Sequence, residues 1–197
     1  MLQLNHVSIT NKGRTVLDDC TFQFKEGQVY VIVGDPDDFI AFFKAVCGEK
    51  KTDQGEIVTW DGAERYNACD DSLLPFSLTA SQYAEGLLKI YRPGGSPETG
   101  VYLLEAGFDT SNRDKMIRDL GASDKAALRF LGIRMVDAYV NVIGEPVPEI
   151  GLIAEWAEKN KNDKVIIFGV SDYDTAEVLK NKVGAEIVSF DSSFHSE

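Results

Sequence analysis

Cysteine and histidine are scarce in this sequence, which has three cysteines and two histidines among 197 residues. Cys20, Cys47 and Cys69 are scattered without metal-ligand or disulfide spacing, and this usage is typical of a reducing compartment. His6 and His195 are far apart, and neither has the neighbouring Ser, Cys or Asp pattern that nucleophilic catalysis requires. The sequence therefore indicates neither a metal site nor a histidine-based catalytic centre.

The sequence also has few basic residues relative to acidic ones, and it has no long apolar run. The chain has 20 Lys and Arg against 32 Asp and Glu, a net charge of -12 and a pI of about 4.6. A general nucleic-acid binder needs a basic face, so we expect no nucleic-acid partner. No apolar run approaches the ~20 residues that span a bilayer. The opening segment, MLQLNHVSIT, lacks the charged and apolar regions of a signal peptide. We expect a cytoplasmic protein without direct membrane insertion.

The hydrophobic content and the residue patterns of the chain predict one sizeable α/β domain. Hydrophobic residues make up 44% of the chain, which is enough for a full core. Alternating and apolar patterns predict strands at 2–4, 7–9, 20–24, 29–33, 55–58, 138–143, 165–170 and 185–190. Helical patterns predict helices at 38–47, 79–91, 123–137, 148–161 and 175–181, two short helical stretches between 98 and 118, and a loop at 92–98. The alternation of strands and helices in the last third predicts a parallel, doubly wound sheet.

Residues 28–48, QVYVIVGDPDDFIAFFKAVCG, have the frame of a phosphate loop without its phosphate-binding residues. The apolar run Val29–Val33 predicts a buried strand, and Gly34 opens a polar turn before a helical segment that begins near Phe39. The pattern G-x-x-x-x-G-K-[ST] holds phosphates with backbone amides and a lysine, and Mg²⁺ with a hydroxyl. Counted from Gly34, its last three positions hold Phe39, Ile40 and Ala41. A deletion of one residue would only move the lysine position onto Phe39.

Three aspartates around Pro36, namely Asp35, Asp37 and Asp38, occupy the positions where triphosphate oxygens would lie. Two unit charges about 4 Å apart repel by about 4 kcal/mol at an effective dielectric near 20. A helix N-terminus favours negative charge, so Asp37 or Asp38 is predicted to be the N-cap. A Mg²⁺ or Ca²⁺ site is the weaker alternative, because the carboxylates lack a spaced ligand pattern. The apolar positions that follow have helical spacing and are predicted to be core: Phe39, Ile40, Phe42, Phe43 and Val46.

Five segments in order along the chain carry a resemblance to a known family. They are LQLNHVSITNKGRTVLDDCTFQFKEGQVYVIVG, FKAVCGEKKTDQGEIVTWDG, LPFSLTASQYAEGL, LGASDKAALRFLGIRMVDAYVNVIGEP and VIIFGVSDYDTAEVL. Together they resemble the landmarks of the ATP-binding cassette family, the ATPase subunits of ABC transporters, from Leu2 to about Leu179. The resemblance implies a P-loop-NTPase-like cassette fold with a mixed or parallel sheet flanked by helices, and N-terminal antiparallel hairpins. It also implies an α/β core at 1–71 and 138–197 and a helical subdomain at about 72–137.

The resemblance places the family's functional positions on residues that mostly differ from it. The adenine-stacking aromatic, the magnesium-sensing Gln, the Walker B Asp and the switch His fall at or near Asn11, Asp70, Gly144 and Ser171. The signature L-S-G-G-Q falls on Leu120-Gly121-Ala122-Ser123-Asp124, which keeps only the leucine. The catalytic glutamate is retained as Glu145, before Pro146. We interpret Glu145 as vestigial, because the groups that would bring it a substrate are missing.

These losses imply a catalytically degenerate cassette subunit, a pseudo-ATPase with no nucleotide or metal cofactor. It would be a structural or regulatory partner of a membrane permease or of an active cassette, in the cytoplasm or at the inner face of the cell membrane. A second hypothesis is a soluble scaffold or regulatory protein that uses the cassette fold to bind proteins. A third is a divergent but active ATP hydrolase, which would require ATP and Mg²⁺.

The segment Ser72–Tyr83, SLLPFSLTASQY, is the candidate partner contact. In cassette ATPases, the corresponding groove receives a coupling helix from the permease. The candidate contact residues are Leu73, Leu74, Phe76, Leu78 and Tyr83. The core of a small subdomain would require the same composition, so both interpretations stay open at this point.

Overall fold

The first sheet of the protein is antiparallel and contains three strands. The computed structural model describes residues 1–94 and 98–189, so 95–97 of the predicted loop, Phe190 and His195 lie outside the described residues. The strand order is β2-β1-β4, where β1 is Leu2–Asn11, β2 is Arg14–Phe24 and β4 is Gln54–Val58. The short strands predicted at 2–4, 7–9 and 20–24 are therefore parts of two long strands. A turn at Lys12-Gly13 joins them, with both residues at positive φ.

The second sheet is parallel and contains five strands, as the sequence predicts. Its strands are β3 (Val29–Val33), β5 (Arg65–Ala68), β6 (Val140–Ile143), β7 (Val165–Val170) and β8 (Glu186–Ser189), in the order β5-β6-β7-β3-β8. Sequence reasoning misses β5, because RYNA is short and has polar side chains where an apolar run would be the signal. Asn67 donates its amide to Glu49 Oε1 at 2.9 Å, and pairing with β6 makes this segment a strand.

The helices are α1 (Pro36–Val46), α2 (Ala80–Tyr91), α3 (Thr99–Glu105), α4 (Ala122–Val136), α5 (Ile150–Asn160) and α6 (Tyr173–Val183). The start of α2 follows its sequence signal: Thr79 Oγ1 accepts the Gln82 N–H at 3.2 Å, and Gln82 Oε1 accepts the Thr79 N–H at 2.9 Å. Helix α6 begins at Tyr173 rather than at Thr175, because Asp172 caps it by accepting the Thr175 N–H at 2.7 Å. Within the two described ranges, no helix combines the length and the apolar character that crossing a membrane would require.

Contacts divide the described chain into two compact units. The first consists of Met1–Cys69, Ala138–Glu145 and the chain from Ala154 onward, and it contains both sheets with α1 and α6. The second consists of Asp70–Asp137 and Pro146–Ile153, and it contains α2, α3 and α4. The ends of β3, β6 and β7, where the candidate site lies, all belong to the first unit.

Helix α1 packs on the parallel sheet through Phe39 and Phe43, while Phe42 contacts Phe24 of the antiparallel sheet. Phe39, Phe42 and Phe43 are each 0% exposed, which confirms the prediction that they are core. A Cβ at Gly169 of β7 would lie 2.7 Å from ring atoms of both Phe39 and Phe43. Glycine at this position therefore lets the two rings lie directly against the strand.

Candidate functional site

The turn between β3 and α1 is too short to be a phosphate loop. Strand β3 ends at Val33 and α1 begins at Pro36, which leaves Gly34 and Asp35 between them. A phosphate loop instead uses its whole G-x-x-x-x-G stretch to surround the phosphates. The prediction that the helix begins near Phe39 is wrong, because Pro36 is suited to the first helical turn: it lacks an N–H, and its φ is already helical.

The N-terminus of α1 is capped by Asp35, and the prediction of Asp37 or Asp38 is wrong. The carboxylate of Asp35 accepts the Asp37 N–H at 2.9 Å. Its carbonyl oxygen accepts the N–H groups of Asp38 at 3.0 Å and Phe39 at 3.1 Å. Pro36 has no N–H to offer. Every backbone donor that the first turn of α1 would present to a phosphate is therefore either bonded within the turn or missing.

The turn between β1 and β2 is held against the same helix end by three ion pairs. Lys12 Nζ lies 2.7 Å from Asp37 Oδ2. The two terminal nitrogens of Arg14 lie 2.8 Å from Asp38 Oδ1 and 3.5 Å from Asp35 Oδ2. We call these five residues, Lys12, Arg14, Asp35, Asp37 and Asp38, the hairpin clasp.

Asn11, near which the resemblance places the adenine-stacking aromatic, adds a hydrogen bond to the hairpin clasp. Its side-chain amide donates to the carbonyl oxygen of Asp37 at 2.9 Å. Sequence reasoning missed the roles of Lys12 and Arg14, because their partners lie 25 and 24 residues away in the chain. The sequence does show two basic residues at the first hairpin turn. It does not show which acidic residues they pair with, because only the tertiary contact brings them to the aspartates.

The hairpin clasp changes the titration of its charged groups. The hydrogen bond and charge of Lys12 lower the pKa of Asp37 below its ordinary value, and the charge of Arg14 adds to this effect. The carboxylates of Asp38 and Asp35 raise the pKa of Arg14. Two cations face three carboxylates, so the hairpin clasp keeps an excess of negative charge. That charge opposes a triphosphate at this helix end.

Lys12→Met should reduce the acid sensitivity of the fold. The ion pair of Asp37 adds stability above the ordinary carboxyl pKa of 3.8, and this contribution is lost as the pH falls below that value, because the folded-state pKa is lowered. The variant should therefore be less stable than the wild type near neutral pH and converge with it in strong acid. Urea unfolding between about pH 7 and about pH 2.5 measures the difference. Lys51→Met, at an exposed lysine, should keep the wild-type profile, and a wild-type profile for Lys12→Met would contradict the prediction.

The lysine and hydroxyl positions of the phosphate-loop pattern are part of the core. Phe39 is 0% exposed and Ala41 is 5% exposed. Ile40, between them, is half-buried and packs against the same core cluster. A cationic or hydroxyl side chain at Phe39 or Ala41 would therefore be buried in α1 packing rather than presented to a ligand.

Gly144, at the Walker B aspartate position, has no room for a side chain. Its backbone lies against the end of β5, where its N–H donates to the Ala68 carbonyl oxygen at 3.3 Å. A Cβ at this position would lie 2.6 Å from the carbonyl oxygen and 2.8 Å from the Cα of Cys69. The magnesium-binding carboxylate is therefore excluded here by the backbone itself.

Glu145 and Ser171 are brought together by the ends of β6 and β7. The Ser171 N–H donates to Glu145 Oε1 at 2.8 Å, and the Ser171 hydroxyl donates to Oε2 at 2.8 Å. The resemblance places the catalytic glutamate at Glu145 and the switch histidine near Ser171. Each carboxylate oxygen accepts one hydrogen bond from the same serine, and this pairing fastens the loop after β6 to the loop after β7.

In the second unit, the signature positions serve the local fold. Helix α4 begins at Ala122 with Gly121 as its N-cap, rather than at Ser123 or Asp124. Asp124 is only 9% exposed, and it accepts the Asp109 N–H at 3.2 Å and the Asn112 amide at 2.7 Å.

Asp70, near which the resemblance places the magnesium-sensing Gln, lies at the start of the same unit. Its carboxylate accepts the Ser72 N–H at 2.8 Å and caps the short 3-10 turn Asp71–Leu73.

The segment predicted to contact a partner divides into exposed and buried residues. Leu73 and Phe76 are each 43% exposed, whereas Leu74 and Tyr83 are 4% and 9% exposed. Leu78 is half-buried. Lys125 Nζ lies over the Phe76 ring, 5.4 Å from its centroid. Leu73 and Phe76 thus present apolar surface, while Leu74 and Tyr83 belong to the core of the second unit.

Comparison with known proteins finds likeness in structure rather than in sequence. No protein-family profile and no curated protein matches the chain. The ATP-binding cassette MJ0796, in a dimeric post-hydrolysis state bound to ADP and Pi, is similar with a TM-score of 0.73 and 15% identity, over 96% of this chain and 94% of that chain. An ABC transporter ATP-binding protein from Pyrococcus furiosus gives 0.66 and 14%, over 87% and 91%. The cbiO1 protein from Clostridium perfringens, part of the ABC transporter complex cbiONQ, gives 0.59 and 18%, over 90% and 81%. This chain therefore has the fold of the ATP-binding cassettes of ABC transporters.

Proposed function

We propose that this chain is a catalytically degenerate cassette subunit, which binds no nucleotide and acts as a structural or regulatory partner of a membrane permease or of an active cassette. The observation that carries the proposal is the hairpin clasp. In a nucleotide-binding cassette, the N-terminus of this helix would receive phosphate. Here it is capped by Asp35 and covered by Lys12 and Arg14.

The chemistry of the helix end supports the proposal in two steps. Phosphate binding at a helix N-terminus requires free backbone N–H groups, but the N–H groups in the first turn of α1 already donate to Asp35. It also requires neighbouring positive charge, and the two cations of the hairpin clasp are bound to its three carboxylates. A triphosphate would have to displace these bonds and then face uncovered aspartates.

The hydrolytic side of the site supports the same proposal. An aspartate cannot replace Gly144 without moving the Cys69 backbone, so the magnesium acid has no place. Glu145 is held by two hydrogen bonds from Ser171, one to each carboxylate oxygen, which fix its orientation and leave fewer acceptor positions for a water. Binding and hydrolysis are thus opposed by separate groups of residues. A divergent, active ATPase would have to overcome both.

In a calorimetric titration of the full chain with Mg-ATP, we expect no binding with a dissociation constant smaller than about a millimolar. The double variant Asp37→Asn with Asp38→Asn separates charge from geometry. It should also fail to bind, because the N–H groups remain bonded to Asp35 and the lysine position remains Phe39. An intact cassette ATPase serves as the positive control. Sub-millimolar binding of Mg-ATP to the wild type would overturn the proposal and favour the divergent ATPase.

The partner in this proposal is a permease or a second cassette at the inner face of the membrane. Two observations support it: cbiO1 is part of the ABC transporter complex cbiONQ, and Leu73 and Phe76 expose apolar side chains at the expected contact segment. Co-purification with a multispanning membrane protein or another cassette would agree with it.

A free-standing scaffold is the second candidate function, and the signature positions favour it. Asp124 is turned into the second unit instead of being available to a nucleotide on another subunit. A set of partners that contains only soluble proteins would support this scaffold rather than the transporter subunit.

A further inference from the structure

A cavity of about 380 Å³ lies at the end of β3 opposite to the hairpin clasp. Tyr30, the second residue of β3, lines it, whereas Asp35 follows the other end of that strand. A strand rises about 3.3 Å per residue, so the two places are more than about 10 Å apart. The cavity is therefore separate from the degenerate nucleotide site. Its volume falls within the ~300–1,000 Å³ range of small-molecule pockets.

The cavity is open to solvent on one side, and its lining has one cationic and one anionic side chain, Lys25 and Glu186, both on exposed residues. Neither side chain forms an ion pair or a side-chain hydrogen bond with another of the residues that the structure describes. Two opposite charges in one small cavity, without partners among the described residues, suit a ligand that carries one positive and one negative group. Lys25 and Glu186 would then each form a charge-assisted hydrogen bond with the ligand group of opposite charge.

Aromatic rings form the apolar part of the lining. Phe22 and Tyr30 contact each other edge to face, with ring centroids 6.1 Å apart. Tyr30 is 2% exposed, and its hydroxyl oxygen accepts the Lys25 N–H at 2.8 Å. Its own hydroxyl proton has no acceptor among the described residues and remains available for one in the cavity. Burial, aided by the charge of Glu186, raises the pKa of Tyr30, so this hydroxyl stays a donor.

Thr21 and two glutamines complete the polar lining. Gln3 and Gln23 are paired across β1 and β2, so their side chains lie side by side on one face of the sheet. Both line the cavity. Each amide offers a donor and an acceptor without net charge. The lining as a whole therefore combines one positive group, one negative group, neutral amides, a threonine hydroxyl and two aromatic rings.

We propose that this cavity binds a small zwitterion of the free α-amino acid class. Lys25 and the Tyr30 hydroxyl would hold its carboxylate, Glu186 would hold its ammonium group, and its side chain would contact the ring of Phe22. The site does not depend on the state of the nucleotide site, because the two share no residue.

Titration of the full chain with a panel of the common free L-amino acids, by calorimetry, tests this proposal. At least one should bind in the micromolar to low millimolar range. Its N-acetyl derivative, which lacks the ammonium charge, and its amide, which lacks the carboxylate, should each bind about tenfold or more weakly. This pair of ligands tests the two charges separately on the unaltered protein.

Matched variants test the two protein charges. Lys25→Met should weaken binding about tenfold or more, and most for the ligands that retain a carboxylate. Glu186→Gln should do the same for the ligands that retain an ammonium group. Lys51→Met, an exposed lysine outside the cavity, should bind like the wild type. The proposal is overturned if no amino acid binds the wild type, if both derivatives bind as well as the parent, or if Lys25→Met and Glu186→Gln bind unchanged.

Discussion

Phe39→Ala is expected to lower the free energy of unfolding by about 3–5 kcal/mol. The Phe39 ring is 0% exposed and lies against β7 at Gly169. Its centroid is 5.8 Å from that of the Phe43 ring. Removal of the Phe39 ring leaves a cavity between α1 and β7. A small domain is stable by only about 5–15 kcal/mol, so this one truncation would remove a large share of its stability. Urea unfolding followed by circular dichroism measures it.

The same position is where a deletion in the loop would place the phosphate-loop lysine. Phe39→Lys should therefore be more damaging than Phe39→Ala, because it buries a charge with no partner instead of creating a lysine ready for phosphate. Phe76→Ala, at a phenylalanine that is 43% exposed, is the matched control and should cost much less. Equal losses for Phe39→Ala and Phe76→Ala would show that α1 does not pack as described.

Gly144→Asp, which would restore the Walker B acid, is expected to destabilise the protein by about 3 kcal/mol or more. The new Cβ would lie 2.6 Å from the Cys69 carbonyl oxygen, so the backbone at the end of β5 or β6 must move. Gly144→Ala should show most of the same loss, because the clash begins at the Cβ and not at the carboxylate. Thermal and urea unfolding of both variants measure it.

Gly121→Asp is the control that places the same side chain in open space. Gly121 is the N-cap of α4, has no side-chain cap hydrogen bond, and would have nothing within 4 Å of an added Cβ. Aspartate is a favoured N-cap, so this variant should be unchanged or slightly more stable. A Gly144→Asp protein as stable as Gly121→Asp would refute the close approach of Gly144 and Cys69.

Local signals predicted most of the secondary structure. The apolar run of β7 and the Thr79-Gln82 capping box of α2 lie within short windows, so periodicity and capping rules are enough to place them. Strand β5 lacks such a signal, because its four residues become a strand only by pairing with β6. The start of α1 was misplaced because the apolar pattern begins at Phe39, while Pro36 and the capping carboxylate of Asp35 precede it.

The sequence predicted which phosphate- and magnesium-binding residues the candidate site lacks, but not the contacts that are found there instead. The missing lysine and hydroxyl, the missing acid at Gly144 and the serine at Ser171 are visible in the sequence. The hydrogen bonds between Ser171 and Glu145 are not, since 26 residues separate the two in the chain. The same is true of Lys12 and Arg14, which looked like ordinary turn residues.

The sequence by itself determined the class of fold and the absence of phosphate-binding residue types, because both depend on residue identity and short-range pattern. Only the tertiary structure decided what occupies the site instead. The first hairpin brings Lys12 and Arg14 to the aspartates of α1, and β5 brings the Cys69 backbone against Gly144. The physical reason is that charge pairing and steric exclusion act through space, between residues that the packing of the sheets brings together from distant parts of the chain.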